Sequence, residues 1–360
     1  MVYPTLEIYR DRIARNAGII LSLCRERGIE PAAVVKGWNA IDEITDVIVE
    51  MGFRTLASSR LPHLEAARRR GYPARVMMLR IPMLSETASV VDSCDVSLNS
   101  EPETLRALDK EAARQGKRHG VILMRDLGDL REGIFDSADL IELACRVERD
   151  FRNLDLMGLG ANLSCYGTVM PTRENLSCLA DDAFEIERVI GRKLEVVSSG
   201  GSSSLPLLLS GEMPSGINQL RIGGGIMTRD EIPGLPEDAL PEMTDDTLIL
   251  NVEIIETGEK PTHPIGVLGV DCFGNPKTFE DRGVRRRAIL AAGAFDIGSH
   301  EKLIPFDDDI KILGCSSDHM IADIHDSGRE YRLGACVPFK LLYQAMLYAT
   351  ASPLIEKKIF

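Results

Sequence analysis

From about residue 30 to residue 225 the chain repeats one pattern: a short, mostly apolar run, a turn, then a longer segment with apolar residues at helical spacing. The first five runs are Val34-Val35, Thr55-Leu56-Ala57, Val76-Met77-Met78-Leu79, Cys94-Asp95-Val96-Ser97-Leu98 and Val121-Ile122-Leu123-Met124. Leu154-Asp155-Leu156-Met157-Gly158-Leu159, Leu194-Glu195-Val196-Val197 and Gln219-Leu220-Arg221-Ile222-Gly223 complete the series. Parallel strands are covered by helices on both faces, so they read as near-continuous apolar runs. The segments between them, among them 61–70, 101–115, 134–150 and 173–190, are the predicted helices. This alternation predicts an α/β fold, a (β/α)8 barrel of the TIM type, with functional residues gathered at the carboxyl ends of the strands. A dinucleotide-binding sheet needs fewer strands and a Gly-x-Gly-x-x-Gly turn after the first, and the chain has neither.

Ahead of this series, Leu6-Glu7-Ile8 predicts a strand, and Ile13, Ala17, Ile20 and Leu23 mark a helix over about 9–27. Beyond residue 235 the texture changes. Pro- and Asp-rich linking sequence leads to strand-like runs at 248–256, 287–290, 310–313 and 320–324, separated by Gly and Asp turns. The expectation is a barrel over 1–234 and a mostly β domain over 235–360, with room for the N-terminal strand to return to the second domain. The apolar segment 337–350 fits either a helix or irregular structure.

Composition limits the function classes. The formal charge of −13 repels a phosphate backbone, and the arginine runs at 68–70 and 285–287 are short, so nucleic acid is not an expected partner. Eight cysteines form no Cys-x-x-Cys pair and six histidines no His-x-x-x-His arrangement. This is the pattern of reduced thiols rather than a disulfide scaffold or dedicated metal site, and no metal is expected. No apolar run reaches about 18 residues, and no basic segment leads into an apolar one near the amino end. A cytoplasmic protein without a membrane partner is the expectation.

Three features carry chemistry. Lys36 closes the run Ala33-Val34-Val35. At the mouth of a barrel its ammonium sits in a low dielectric, which lowers its pKa and suits it to Schiff-base formation; the plainer alternative is a lysine that snorkels to solvent. Ser198-Ser199-Gly200-Gly201-Ser202-Ser203-Ser204 and Gly223-Gly224-Gly225 follow the last two barrel runs. Their N–H groups can cradle a phosphate, at the place where barrels commonly bind one, although such turns are often only turns. Arg221 offers a guanidinium that keeps its proton, aimed at a cofactor atom or at one of the chain's acids.

As an ordered set these residues resemble the alanine racemase family, and within it the ornithine racemase branch. The matching phrases are Tyr3-Pro4-Thr5-Leu6-Glu7-Ile8 with Asn16, Val34-Val35-Lys36, Gly128-Asp129-Leu130-Arg131-Glu132-Gly133, Ser199-Gly200-Gly201-Ser202-Ser203, Arg221-Ile222-Gly223 and Ser316-Ser317-Asp318-His319. The resemblance implies pyridoxal 5'-phosphate joined to Lys36 as an aldimine, with the freed amine exchanging the Cα proton on one face of the substrate. It implies Arg221 on the pyridine nitrogen and Ser202, Gly223 and Gly224 on the phosphate, with Tyr343 near the family's phosphate-binding tyrosine. Arg131 corresponds to the arginine that orients the phenolic oxygen and substrate carboxylate. It further implies a head-to-tail homodimer with composite active sites.

One departure stands out. The family's second proton donor is a tyrosine in a turn of the partner's β domain, and here that turn reads Gly293-Ala294-Phe295-Asp296-Ile297-Gly298, with alanine in its place. His319 has the best intrinsic pKa to replace it, with Asp318, Ser316 and Ser317 beside it. Tyr166 is a further candidate, and Cys165 and Cys272 lesser ones. Asp318 could instead bind a distal ammonium, as could Asp296. The resemblance points to interconversion of L- and D-ornithine, with lysine one methylene away and alanine or broad specificity behind it. Two other classes compete: a pyridoxal phosphate-dependent D-amino-acid aldolase, for which no clear metal pair is found, and a non-enzymatic pyridoxal phosphate carrier, against which the added β domain speaks.

Overall fold

A computed structural model describes residues 3–360. Strand β1 (Thr5–Ile8) comes first, followed by a helix over Arg10–Glu26. Then come β2 (Glu30–Val34), β3 (Thr55–Ser58), β4 (Arg75–Met78), β5 (Val96–Asn99), β6 (His119–Arg125), β7 (Leu154–Ala161), β8 (Val196–Ser198) and β9 (Gln219–Ile222). Among the described residues β2 to β9 close into a barrel in chain order, and β9 pairs in parallel with β2. Helices at Leu61–Arg70, Pro102–Gln115, Ser137–Asp150 and Arg173–Ile190 stand where the periodicity predicts them. The last is clearly signalled. Thr172 Oγ1 accepts from the Asn175 N–H (3.2 Å), Leu176, Leu179, Ala183 and Ile186 are buried, and Gly191 ends it at φ 76°. In the barrel core Leu98, Ile122 and Met124 pack with Ala57 and Met77. Strand pairing leans on one glycine, because a Cβ at Gly158 on β7 would lie 1.8 Å from the Val196 carbonyl oxygen on β8.

The later strands are β10 (Leu248–Pro261), β11 (Val284–Leu290), β12 (Leu303–Pro305), β13 (Lys311–Cys315), β14 (Met320–Asp323), β15 (Cys336–Leu341) and β16 (Glu356–Ile359). They form a sheet of order β12-β15-β10-β11-β14-β13, in which β1 pairs antiparallel with β10 and parallel with β16. The segment 337–350 divides in two. Val337, Phe339 and Leu341 alternate inward along β15, and a helix over Tyr343–Ala351 follows.

The chain separates into two compact units, one of Ile13–Thr244 and one of Asp245–Phe360 together with the segment ending at Arg12. The division therefore falls after Thr244 rather than after residue 234. Buried Asn16 explains this: its Nδ2 donates to the Thr244 carbonyl (2.8 Å) and its Oδ1 accepts from the Thr244 N–H (3.0 Å), which holds the linking sequence to the barrel. In the other unit Arg12 pairs with Asp246 (2.6 Å), and the Tyr9 N–H donates to the Thr247 carbonyl (3.0 Å).

Candidate active site

β2 ends at Val34, and Lys36 lies in a single 3-10 turn, Val35–Trp38. Two contacts set this turn. Trp38 is fully buried, and its indole N–H donates to Thr45 Oγ1 (3.2 Å). Asn39, at φ 51°, meets His63 Nε2 through Oδ1 (3.0 Å), while His63 Nδ1 meets Ser58 Oγ (3.1 Å). Burial lowers the pKa of the Lys36 ammonium; Arg131 and Arg60 push the same way, while Cys165 and Glu132 oppose them. A lysine in this position reaches the free amine at a lower pH than a surface lysine does.

Arg221 on β9 is buried, donating to Ser198 Oγ (2.6 Å) and the Ala161 carbonyl (2.7 Å). Burial pushes its pKa down to about 10, so it keeps its charge at neutral pH. Beside it, the two glycine turns approach each other closely. Ser202 Oγ accepts from the Gly225 N–H (3.2 Å), and a Cβ at Gly225 would meet that oxygen at 2.9 Å. A Cβ at Gly224 would meet Glu231 Cβ at 2.9 Å, and one at Gly223 would meet Val34 at 3.1 Å. Asn162, next to Ala161 at the end of β7, has a buried Nδ2 that lacks a partner among the described residues.

Arg131 stands on a braced loop. Asp126 Oδ1 accepts from the N–H groups of Gly128 (2.8 Å) and Leu130 (3.1 Å). Asp129, 1% exposed, accepts from the N–H groups of Tyr166 (3.0 Å) and Val169 (3.2 Å). It thus ties the loop after β6 to the loop after β7. Arg131 is paired with Glu132, and Cys165 lies near Lys36, Arg131 and Arg221. The Tyr166 side chain is 71% exposed. Sequence reasoning passes over Asp126 and, although Asp129 and Glu132 stand in a phrase that matches the family, gives neither a role; a further signal is the density of acids in Asp126-Leu127-Gly128-Asp129-Leu130-Arg131-Glu132.

The remaining candidates belong to the second unit. The loop Ser316–His319 joins β13 to β14 and interlocks with the turn that starts at Gly293. Ala294 and Phe295 donate their N–H groups to the carbonyls of Ser316 (2.9 Å) and Ser317 (3.0 Å), and a Cβ at Gly293 would lie 2.3 Å from the Ser317 oxygen. Asp318 accepts from Ser317 Oγ (2.5 Å), and His319 is exposed. Burial raises the pKa of the Asp296 carboxyl, with Asp318 pushing the same way. Tyr343 opens the helix Tyr343–Ala351. Lys36, Arg131, Ser202, Arg221, Gly223 and Gly224 thus share the barrel unit, whereas Asp318, His319 and Tyr343 lie on the other.

A barrel that presents a desolvated lysine, a buried arginine and two abutting glycine turns at its strand ends has the parts to hold an aldehyde cofactor carrying a phosphate. Residues 8–228 match the family described as "Alanine racemase, N-terminal domain". The chain is 41% identical to an ornithine racemase of Acetoanaerobium sticklandii over 358 residues, covering 99% of this chain and 100% of that one. It is 36% identical to a lysine racemase of Thermotoga maritima over 358 residues, covering 99% and 98%. The fold matches the crystal structure of a D-threonine aldolase from Filomicrobium marinum at a TM-score of 0.75 and 14% identity, covering 97% of this chain and 89% of that one. The chain belongs to the alanine racemase family: it is a pyridoxal phosphate-dependent isomerase that racemises a small amino acid. Its residues fit that cofactor, with a lowered-pKa amine for the aldehyde, glycine turns that side chains would fill, and an orphaned buried amide donor in Asn162.

Proposed function

We propose that the substrate is ornithine and that Lys36 carries its Cα proton on one face. The observation that carries the reading is the desolvated amine of Lys36 on the same unit as Arg131 and Arg221. Pyridoxal phosphate bound there supplies an aldehyde that joins amines and a conjugated ring that takes up the electron pair left at Cα. Arg221, fixed by Ser198 and Ala161, would donate to the ring nitrogen without surrendering its proton. Ser202, Gly223 and Gly224 would hold the phosphate, and Arg131 would take the substrate carboxylate. His319 or Asp318 of the partner subunit serves the opposite face in a head-to-tail homodimer, and whichever does not move the proton is placed to receive the distal ammonium.

Ornithine is supported by the relative of that activity at 41% identity, and lysine is the second reading because of the lysine racemase at 36%. One methylene separates the two substrates, a difference worth about 1–3 kcal/mol in a pocket. The deciding experiment incubates the holoenzyme in D₂O with L-ornithine, L-lysine and L-alanine and follows optical inversion and α-deuteration. Ornithine is expected to invert fastest. Faster turnover of alanine overturns the dibasic assignment, and full activity in both His319→Ala and Asp318→Ala removes those residues from proton transfer. An active monomer in light scattering overturns the composite site.

A further inference from the structure

Arg131 and Glu132 are neighbours in sequence and are held face to face. Arg131 Nη2 donates to Glu132 Oε1 (2.5 Å), and Nε donates to Oε2. This two-point pair occupies the Nε–Nη2 edge of the guanidinium and leaves the Nη1–Nη2 edge for another anion. The pair is not a casual surface contact. The Glu132 side chain is 18% exposed, Asp126 and Asp129 brace the loop, Leu130 sits at φ 56° and Gly133 at φ 128°. A Cβ at Gly133 would lie 2.5 Å from the Asp126 nitrogen, so the turn that returns the chain after Glu132 is closely fitted.

The charges around Lys36 give the pair a second consequence. Arg131 and Arg60 are cations that disfavour the ammonium of Lys36, and Glu132, the carboxylate paired with Arg131, acts the other way more weakly than either. Glu132 acts on the buried Arg221 as well. We propose that Glu132 is a positioning residue for racemisation: it fixes the Arg131 guanidinium so that its free edge meets the substrate carboxylate, and it offsets the cations gathered at the barrel mouth. The proposal rests on the reading of Lys36 and Arg131 given above. Nothing in the sequence resemblance assigns a role to Glu132.

Glu132→Gln removes the charge and keeps the shape; Glu132→Asp keeps the charge and draws it back by one methylene. Two measurements separate them. Acylation of Lys36 by a small anhydride, followed against pH by peptide mapping in the full chain without added cofactor, reports the lysine directly. Steady-state kinetics of the holoenzyme with L-ornithine report Arg131. In Glu132→Gln the acylation profile is expected to move to lower pH, since an anion that favoured the ammonium is gone, and kcat/KM to fall about tenfold, chiefly through KM. Glu132→Asp is expected to restore the acylation profile while KM stays raised. An unmoved acylation profile in a folded Glu132→Gln, or an unchanged KM in either variant, overturns the proposal. Should Glu132→Gln fail to fold, the Glu132→Asp kinetics decide alone. Full activity of Lys36→Ala would instead overturn the underlying reading, whatever Glu132 does.

Discussion

Replacing Asp129 by asparagine tests whether the mouth of the barrel is held by one buried carboxylate. Its two oxygens accept from the N–H groups of Tyr166 (3.0 Å) and Val169 (3.2 Å), and the side chain is 1% exposed. Asparagine keeps one acceptor and turns an NH₂ group onto the other N–H. At least one charge-assisted bond, worth about 1.5–3 kcal/mol, is lost, and two donors are left facing each other, so the expected cost is about 3 kcal/mol. For a unit the size of this barrel that is a fall in Tm of roughly 6–12 °C. The pH dependence follows from the same contacts. Burial alone would raise the pKa of the Asp129 carboxyl, but the N–H groups of Tyr166, Val169, Gly167 and Cys165 outweigh it and hold the pKa below the ordinary value. Because the folded pKa is the lower one, the stabilisation is complete above the unfolded carboxylate pKa and is lost as pH falls through the folded value. Thermal melts of Asp129→Asn and the parent should differ fully at pH 7 and begin to draw together only below about pH 4, as pH falls toward the lowered folded value. Coincident melts at pH 7, or a gap that persists in acid, would refute the reasoning.

Other outcomes are equally direct. Lys36→Ala should lower kcat by about 10³-fold or more and abolish the cofactor absorbance that the parent retains after gel filtration. In Gly158→Ala the methyl group has 1.8 Å to the Val196 carbonyl oxygen, so the variant should be recovered insoluble or with loss of the cooperative melt, as judged by soluble yield and circular dichroism. Phe339→Ala, at a fully buried position on β15, should lower stability by about 3–5 kcal/mol in urea titrations.

Most of the barrel can be read from residue order, because a strand covered on both sides has to be apolar throughout and Val76-Met77-Met78 or Val121-Ile122-Leu123-Met124 has few other places to go. Lys36, Arg221 and the glycine turns stand out for the same reason, as each interrupts or ends such a run. β12, β15 and β16 are harder to find. Leu303–Pro305 has three residues, Pro338 breaks the look of β15, and Glu356-Lys357-Lys358 carries charge into a strand held by β1 rather than by its own pattern. The bracing acids are hidden for another reason. Asp126 and Asp129 look like solvated loop residues until the folded chain brings the N–H groups of Tyr166 and Val169 onto Asp129, and pairing distance in space leaves no periodicity in sequence.

The placement of β1 between β10 and β16 has a consequence for the order in which the molecule is made. On the ribosome Thr5–Ile8 is translated early, yet both of its partners, Leu248–Asn251 and Glu356–Ile359, emerge only after the whole of 13–244. The barrel can mature while synthesis continues, whereas the sheet has to keep an early translated segment waiting for the strands that will flank it.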